Sequence, residues 1–261
     1  RLARTREIGR VPMNSRNSFS APFWVTLRAD LQTALIDAAR GDPGISFLVG
    51  RAVKNVAQRD DGVAATIETA SGALETIEGA ALVGADGLWS QARTSLNRST
   101  PPDFTSFEAW RALVPAADAP EAARASATHL WMSRAAHLVH YPVGRGGLIN
   151  VVLVRPASSP RSAAERESWN GAGDRAALAD IARAAASPAR ELIARAPSWQ
   201  VWSLYDRAQP TRWSEGLVAL IGDAAHPVLP FLAQGAALAI EDAAVLADEA
   251  ARSRDDLAAA F

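Results

Sequence analysis

The passage from Leu217 to Ala244 constrains the fold more than any other part of the sequence. Leu217-Val-Ala-Leu-Ile221 is apolar on both faces, as a buried strand must be. It runs into Gly222-Asp223 and crosses a loop stiffened by Pro227 and Pro230. It then enters an Ala-rich helix predicted over 235–253. A strand that ends in Gly-Asp and feeds a helix suits an open α/β layer, where ligands sit outside the carboxyl ends of the strands. Asp223 would emerge there with a carboxylate that accepts hydrogen bonds from sugar hydroxyls. The helix would add unpaired N–H groups and the positive end of its dipole. The alternative is a strand–turn–helix packing unit whose Asp only closes the turn.

The rest of the chain bounds the partners. A balance of 27 basic and 28 acidic residues leaves a net charge of −1, with no electrostatic call for nucleic acid or an anionic membrane. The absence of cysteine excludes disulfides, thiolate metal sites and cysteine nucleophiles. No apolar run approaches the roughly 20 residues of a spanning helix. No signal peptide opens the chain, so a cytoplasmic location is expected. Ser–His–Asp order and metal-ligand spacing are also missing.

Ahead of the long motif, Leu31, Ala34, Leu35 and Ala38 recur at helical spacing, which predicts an amphipathic helix over 28–40 that stops at Gly41. Strands are expected at 45–49, 63–68 and 74–77, broken by Asp61-Gly62 and Ser71-Gly72. Ala80–Val83 reads as a central parallel strand, and Ser90–Leu96 as a helix. From Phe104 the pattern changes to strand-like runs at 104–114, 128–132, 137–143 and 148–154, an antiparallel sheet. Helical segments follow at 174–186 and 189–196, parted by Pro188, with a further strand over 199–204. The fold class is therefore α/β, divided as 1–99, 100–205 and 206–261. The first and last parts form one nucleotide-binding layer around an inserted antiparallel-sheet substrate domain.

Three motifs in order carry a family likeness. The Gly222–Ala244 run resembles the second flavin motif of the class A FAD-dependent aromatic hydroxylases, in particular the salicylate hydroxylase-like branch. Ala85-Asp86-Gly87, with Ser90 and Arg93 behind it, resembles the middle Asp-Gly motif, and Arg28-Ala-Asp-Leu-Gln32 the Arg/Gln helix. The resemblance implies a glutathione-reductase-like FAD layer. Asp223, with Gly222, would hold the ribityl chain, and Gln234, Gly235 and Ala236 would face the pyrimidine edge of the flavin. Pro227 would lie over the ring where oxygen reacts. Arg28 and Gln32 would contact the diphosphate and ribityl region, and Val53 the adenine through its backbone. Asp86, Gly87 and Arg93 would support the pyrophosphate and NAD(P)H reduction. A guanidinium suits phosphate because its donors form a fixed fork. Arg28 could equally be a solvated helix-start residue, and Arg93 the partner of a neighbouring acid. Asp206-Arg207, just ahead of the second motif, reads as a buried ion pair.

The implied reaction is monooxygenation. NADH or NADPH reduces bound FAD, and the reduced flavin activates O2 to hydroxylate a phenolic, benzoate- or pyridine-like ring. Partners would be that aromatic and O2, with a homodimer as one mode of assembly. The family opens with a strand, a G-x-G-x-x-G turn and a helix, and this sequence holds no such unit. Gly171-Ala-Gly173 lacks a preceding apolar strand and reads as a helix-entry loop with Asp174 at the helix start. The expectation is a chain with the middle and late parts of a flavin hydroxylase. Leu27 stands where the family commonly has His. An epoxidase or halogenase is a competing reaction, although Trp199-Gln-Val-Trp202 has the wrong spacing for the Trp-x-Trp of halogenases. A non-catalytic ligand-binding remnant is the alternative outside enzymes.

A second constellation lies on the 137–143 strand. Alternation puts His137, Val139 and Tyr141 on one face and His140 on the other. A phenolic substrate needs a base, and His137 is suited to that task, with Tyr141 as anchor. Both could instead be satisfied sheet residues. His226 offers a proton relay beside the flavin or a group that braces the Asp223 loop. Most of the eight tryptophans read as core and domain-interface anchors, with one or two free to wall an aromatic pocket.

Overall fold

A computed structural model of the chain describes residues 7–11, 24–97, 100–162, 171–253 and 256–261. In chain order the elements are α1 (Arg28–Arg40), β1 (Arg51–Arg59), β2 (Gly62–Thr69), β3 (Leu74–Gly79), β4 (Leu82–Gly84) and α2 (Gln91–Asn97). There follow β5 (Asp103–Pro115), β6 (His129–Met132), β7 (His137–Val143), β8 (Leu148–Pro156) and β9 (Gly171–Gly173). Then come α3 (Ala179–Ala184), α4 (Ser187–Arg195), β10 (Trp199–Asp206), β11 (Ser214–Glu215), β12 (Val218–Leu220), α5 (Gly235–Arg252) and α6 (Leu257–Ala260). The mixed α/β class and the antiparallel sheet expected from the sequence are both present. Two compact units form, one from Arg1–Ser46 and Ser106–Ser203, the other from Phe47–Thr105 and Leu204–Phe261.

In the first unit a six-stranded sheet runs β6-β7-β8-β5-β10-β9. Its β6–β7, β7–β8, β8–β5 and β10–β9 pairings are antiparallel. Alternation gives the strands one apolar face: Trp110, Ala112, Val114, Leu138, Ile149, Val151, Leu153, Trp199 and Val201 are all buried there. Leu178, Leu192 and Ile193, from the α3–α4 region, complete that core. Pro188 sits in the first turn of α4, where its missing N–H costs nothing. Gly171–Gly173 is not the loop expected from the sequence but an edge strand on β10. A Cβ at Gly173 would lie within 3 Å of the Trp110 ring, so the bare backbone is what lets this strand close the sheet. Asp174 does cap the turn that follows, accepting from Ala176 N–H at 2.9 Å. α1 forms as expected, yet none of its residues is fully buried.

His140, like Glu108, is a buried polar residue on the covered face. It pairs with His129 in the register, and its ring stacks on His129 at 4.7 Å and lies parallel to Trp131 at 6.2 Å. It is fully buried, and neither ring nitrogen has a partner among the described residues. Burial, aided by His129, pushes its pKa down to about 4. The unfolded chain would bind that proton near pH 6.5. Stability from this site is therefore complete above about pH 6.5 and is lost as the pH falls to about 4, by roughly 3 kcal/mol. Urea melts at pH 7 and pH 4.5 should show a smaller acid loss in His140→Leu than in the unsubstituted protein. Equal acid losses would remove His140 as the cause.

In the second unit β1, β2 and β3 form an antiparallel sheet, while β12 pairs antiparallel with β11 and parallel with β4. The strand expected at 45–49 does not form, and Phe47, Leu48 and Val49 are exposed. The strand is β1 instead. Its Val53 and Val56 are three residues apart, which in a regular strand would put them on opposite faces. A bulge between Val53 and Asn55 reverses the parity, and both valines join the core with Val63, Val218 and Leu220. β4 forms two residues later than expected. It is the edge of its sheet, not the centre, and Val83 is exposed. Among the described residues no helix is long and apolar enough to cross a membrane.

Candidate functional site

The Asp223 turn is built by three residues around it. Gly222 follows β12 with φ +58°, a conformation that favours glycine, and a Cβ there would come within 3.1 Å of Ala239 on α5. The Gly222 N–H donates to Asp242 Oδ2 at 2.7 Å, and His226 Nε2 meets the same oxygen at 2.5 Å. The N–H groups of Ala225 and His226 return to the Gly222 carbonyl, each at 2.9 Å. His226 is buried with its ring 4.8 Å from Trp213, which is the bracing geometry. Gly222 and Ala224 are turned inward, and Asp223 between them is exposed.

The start of α5 lies beside that carboxylate. A Cβ at Gly235 would sit 3.8 Å from Asp223 Oδ1 and 3.2 Å from Val228. No side chain caps α5 at Gln234, so the first turn of this 18-residue helix keeps N–H groups for a ligand. Val228, Leu229, Phe231, Leu232 and Gln234 line a shallow cavity of about 180 Å³ beside it. Pro227 is buried, drawn in with His226, so the flat apolar surface of the loop is Pro230 and Phe231 instead.

The middle motif is tied to its own chain. The Asp86 carboxylate accepts from Gln91 N–H at 2.7 Å, Ala92 N–H at 3.2 Å and the Ser90 hydroxyl at 2.5 Å. Ser90 in turn accepts from Arg93 N–H at 2.9 Å. The first turn of α2 is thus capped by its own chain. Arg93 is buried, and its guanidinium donates to the carbonyls of Ala208 and Ala224. Burial, with repulsion from Arg207, lowers its pKa. It therefore reaches the Asp223 turn from beneath and is not on the surface for a phosphate. The Asp206 carboxylate accepts the backbone N–H of Arg207, while the Arg207 guanidinium donates to the carbonyls of Leu88 and Thr100 and to the Thr94 hydroxyl. Gly87 has φ +73° at the turn before α2. Val53 lies beside the bulge, where the register of the ladder shifts.

Arg28 and Gln32 are exposed one turn apart on α1, in a segment that belongs to the first unit. In that unit the second face of the six-stranded sheet carries His137, Val139 and Tyr141, as alternation predicts. Tyr141 pairs with Asn150 across the register and its hydroxyl bonds that side chain, while burial raises its pKa. Arg111 lies on the same face and donates to Gln200 Oε1 at 2.8 Å, with its guanidinium 6.0 Å from the Trp202 ring. Trp199 and Trp202 point to opposite faces of β10, the first into the core. Among the described residues no group of three His, Asp or Glu side chains could hold a metal.

Sequence reasoning missed Asp242 and Arg111. Asp242 is inconspicuous beside Glu241 in an Ala-rich helix, and only the fold shows which of the two faces Gly222. Arg111 had a signal, a lone charge within Ala109-Trp-Arg-Ala-Leu113.

Comparison with known proteins adds an independent line. A family described as FAD binding domain matches residues 8–253. The 3-hydroxybenzoate 6-hydroxylase 1 of Aquipseudomonas alcaligenes is 34% identical over 256 residues, 97% of this chain and 63% of that protein. A salicylate hydroxylase solved as a substrate complex superimposes with a TM-score of 0.73 at 27% identity, over 88% of this chain and 58% of that one. HpxO of Klebsiella pneumoniae, solved with FAD and uric acid, gives 0.70 at 28% identity, over 89% and 56%. The chain therefore spans less than two thirds of the length of these proteins.

Proposed function

Because the chain belongs to the FAD binding domain family, we propose that the protein carrying it is an NAD(P)H-dependent FAD monooxygenase that hydroxylates a small phenolic or benzoate-like aromatic. The observation that carries this reading is the exposed Asp223 carboxylate beside the uncapped start of α5, on a turn whose Gly222 and His226 are held from behind by Asp242. That donor set fits FAD: a carboxylate for ribityl hydroxyls, and helix N–H groups of Gly235 and Ala236, with Gln234, for the electron-rich pyrimidine edge. Arg28 and Gln32 are assigned to the diphosphate and the Val53 backbone to the adenine. Asp86, Gly87 and Arg93 act as the frame on which the Asp223 turn rests. His226 and Pro227 serve that turn from its buried side. When bound, FAD supplies the redox chemistry that NAD(P)H primes and O2 completes.

The second sheet face is assigned to the aromatic substrate. Tyr141 remains protonated near neutral pH and can donate to the ring substituents, and His137 takes the phenolic proton, which makes the ring a better nucleophile. The names of the similar proteins support a benzoate-type substrate. We assign FAD binding to 1–99 and 206–261, the substrate sheet to 100–205, and the protein to the cytoplasm.

The test uses the full-length protein. Purified material should be yellow, and 3-hydroxybenzoate or salicylate should stimulate NAD(P)H oxidation with formation of hydroxylated product. His137→Ala should lower hydroxylation by about a hundredfold, the usual worth of a general base, with flavin content unchanged. A colourless folded protein that ignores added FAD would overturn the proposal. Unchanged turnover of His137→Ala across pH would remove His137 as the base.

A further inference from the structure

The edge strand β6 carries Met132, the one methionine among the described residues. The sheet order puts β6 outermost, next to β7. Leu130 lies opposite Val139 and Met132 opposite His137, so both β6 residues share the second face with the assigned base. They are apolar and open, Leu130 being 56% and Met132 63% exposed. The turn between the strands fixes that register. Ser133 N–H donates to the Ala136 carbonyl at 3.0 Å, and the Ser133 hydroxyl donates to the same carbonyl at 2.9 Å and accepts from Ala136 N–H at 3.1 Å. The adjoining Met132–His137 pair is therefore of the non-hydrogen-bonded kind, in which side chains come closest, with Cβ atoms about 4.5–5.5 Å apart. The chain has no cysteine, so no thiol in it competes with this thioether for an oxidant.

From this register we infer that Met132 is an oxidation-sensitive modification site whose sulfoxide switches off His137. The inference rests on the hydroxylase reading above and adds a regulation of that same site. The oxidant is hydrogen peroxide, which forms when O2 takes up two electrons and two protons and no ring accepts its oxygen. The thioether lone pair attacks one peroxide oxygen, the O–O bond breaks and an S–O bond forms. Sulfur loses two electrons, and the rest of the peroxide leaves as water. An exposed side chain on an edge strand gives so small an oxidant free access. The product is a polar group with a strong acceptor oxygen where the thioether was apolar. Opposite His137 that oxygen accepts an imidazole N–H, turns the ring toward the sheet edge and competes with the phenol for it. Enzymatic reduction of the sulfoxide returns the thioether, so the change is reversible.

The experiment exposes the full-length protein to dilute hydrogen peroxide, removes the excess with catalase, and follows hydroxylation of 3-hydroxybenzoate beside peptide masses. The Met132 peptide should gain one oxygen atom, and turnover should fall with it by about tenfold, part of what a general base is worth. Flavin content should stay constant. Methionine sulfoxide reductase should restore mass and turnover together. Met132→Leu should keep after peroxide whatever rate it shows before it. Met132→Gln, with a permanent acceptor in the same place, should be slow without any peroxide. A Met132 that resists oxidation, full turnover with Met132 oxidised, or an equal loss in Met132→Leu would overturn the switch and leave the hydroxylase reading standing. An untreated protein that holds no flavin and hydroxylates nothing would take both down together.

Discussion

Asp223→Ala in the full-length protein is expected to release FAD during purification and to weaken its rebinding by about a hundredfold or more. That factor is what two lost charge-assisted hydrogen bonds produce. The side chain is exposed, so its removal leaves no buried cavity, and the thermal transition of the apoprotein should stay within a few degrees. Flavin absorbance after gel filtration, and quenching of FAD fluorescence on titration, would measure the effect. Normal flavin content in this variant would count directly against the placement of the ribityl contact.

A second large effect is expected at a residue that need not touch cofactor at all. Asp242 receives both the Gly222 N–H and His226 Nε2 on one oxygen. Asp242→Ala leaves the N–H of buried Gly222 without an acceptor, at about 1–3 kcal/mol, and frees the left-handed turn that aims Asp223. Melting should fall by several degrees, and FAD affinity by about tenfold or more. The informative comparison is with Asp242→Glu, which keeps the charge but moves the oxygen by a methylene, and with His226→Gln, which leaves Asp242 its Gly222 contact. If Asp242 positions Asp223, FAD affinity should follow the Gly222 bond and be largest in His226→Gln among the three variants. If Asp242→Ala lowers the melting temperature while FAD binding stays intact, the residue is only a structural tie.

These expectations also show where the sequence was readable. The strand–Gly-Asp–loop–helix passage was legible because each part has its own local rule: two-sided apolarity, a turn residue, prolines and a helical period. The alternation of His137, Val139 and Tyr141 was legible for the same reason. β1 was not, because its bulge converts a three-residue spacing into a shared face, and a period-2 reading cannot see that. The contacts of Arg93 and Arg207 were not legible, because they include carbonyls and a hydroxyl up to 131 residues away, and backbone acceptors leave no mark in a sequence. The burial of Pro227 was not legible because the pull of Asp242 on its neighbour, His226, comes from another element.

The bond from Arg93 to the Ala224 carbonyl has a further consequence, for the order in which the chain can assemble. β1 to β4 and α2 leave the ribosome before β12, and β4 has to wait for Val218–Leu220 before its parallel partner exists. The intervening Ser106–Ser203 stretch supplies its own sheet and core, and can mature during that wait. Closing so long a loop is slow, and until it closes a buried-to-be guanidinium and a bare strand edge remain in water. Newly made chains should therefore pass through a stage in which the sheet segment resists protease while the region around Arg93 is still cut, and chaperone demand should concentrate there.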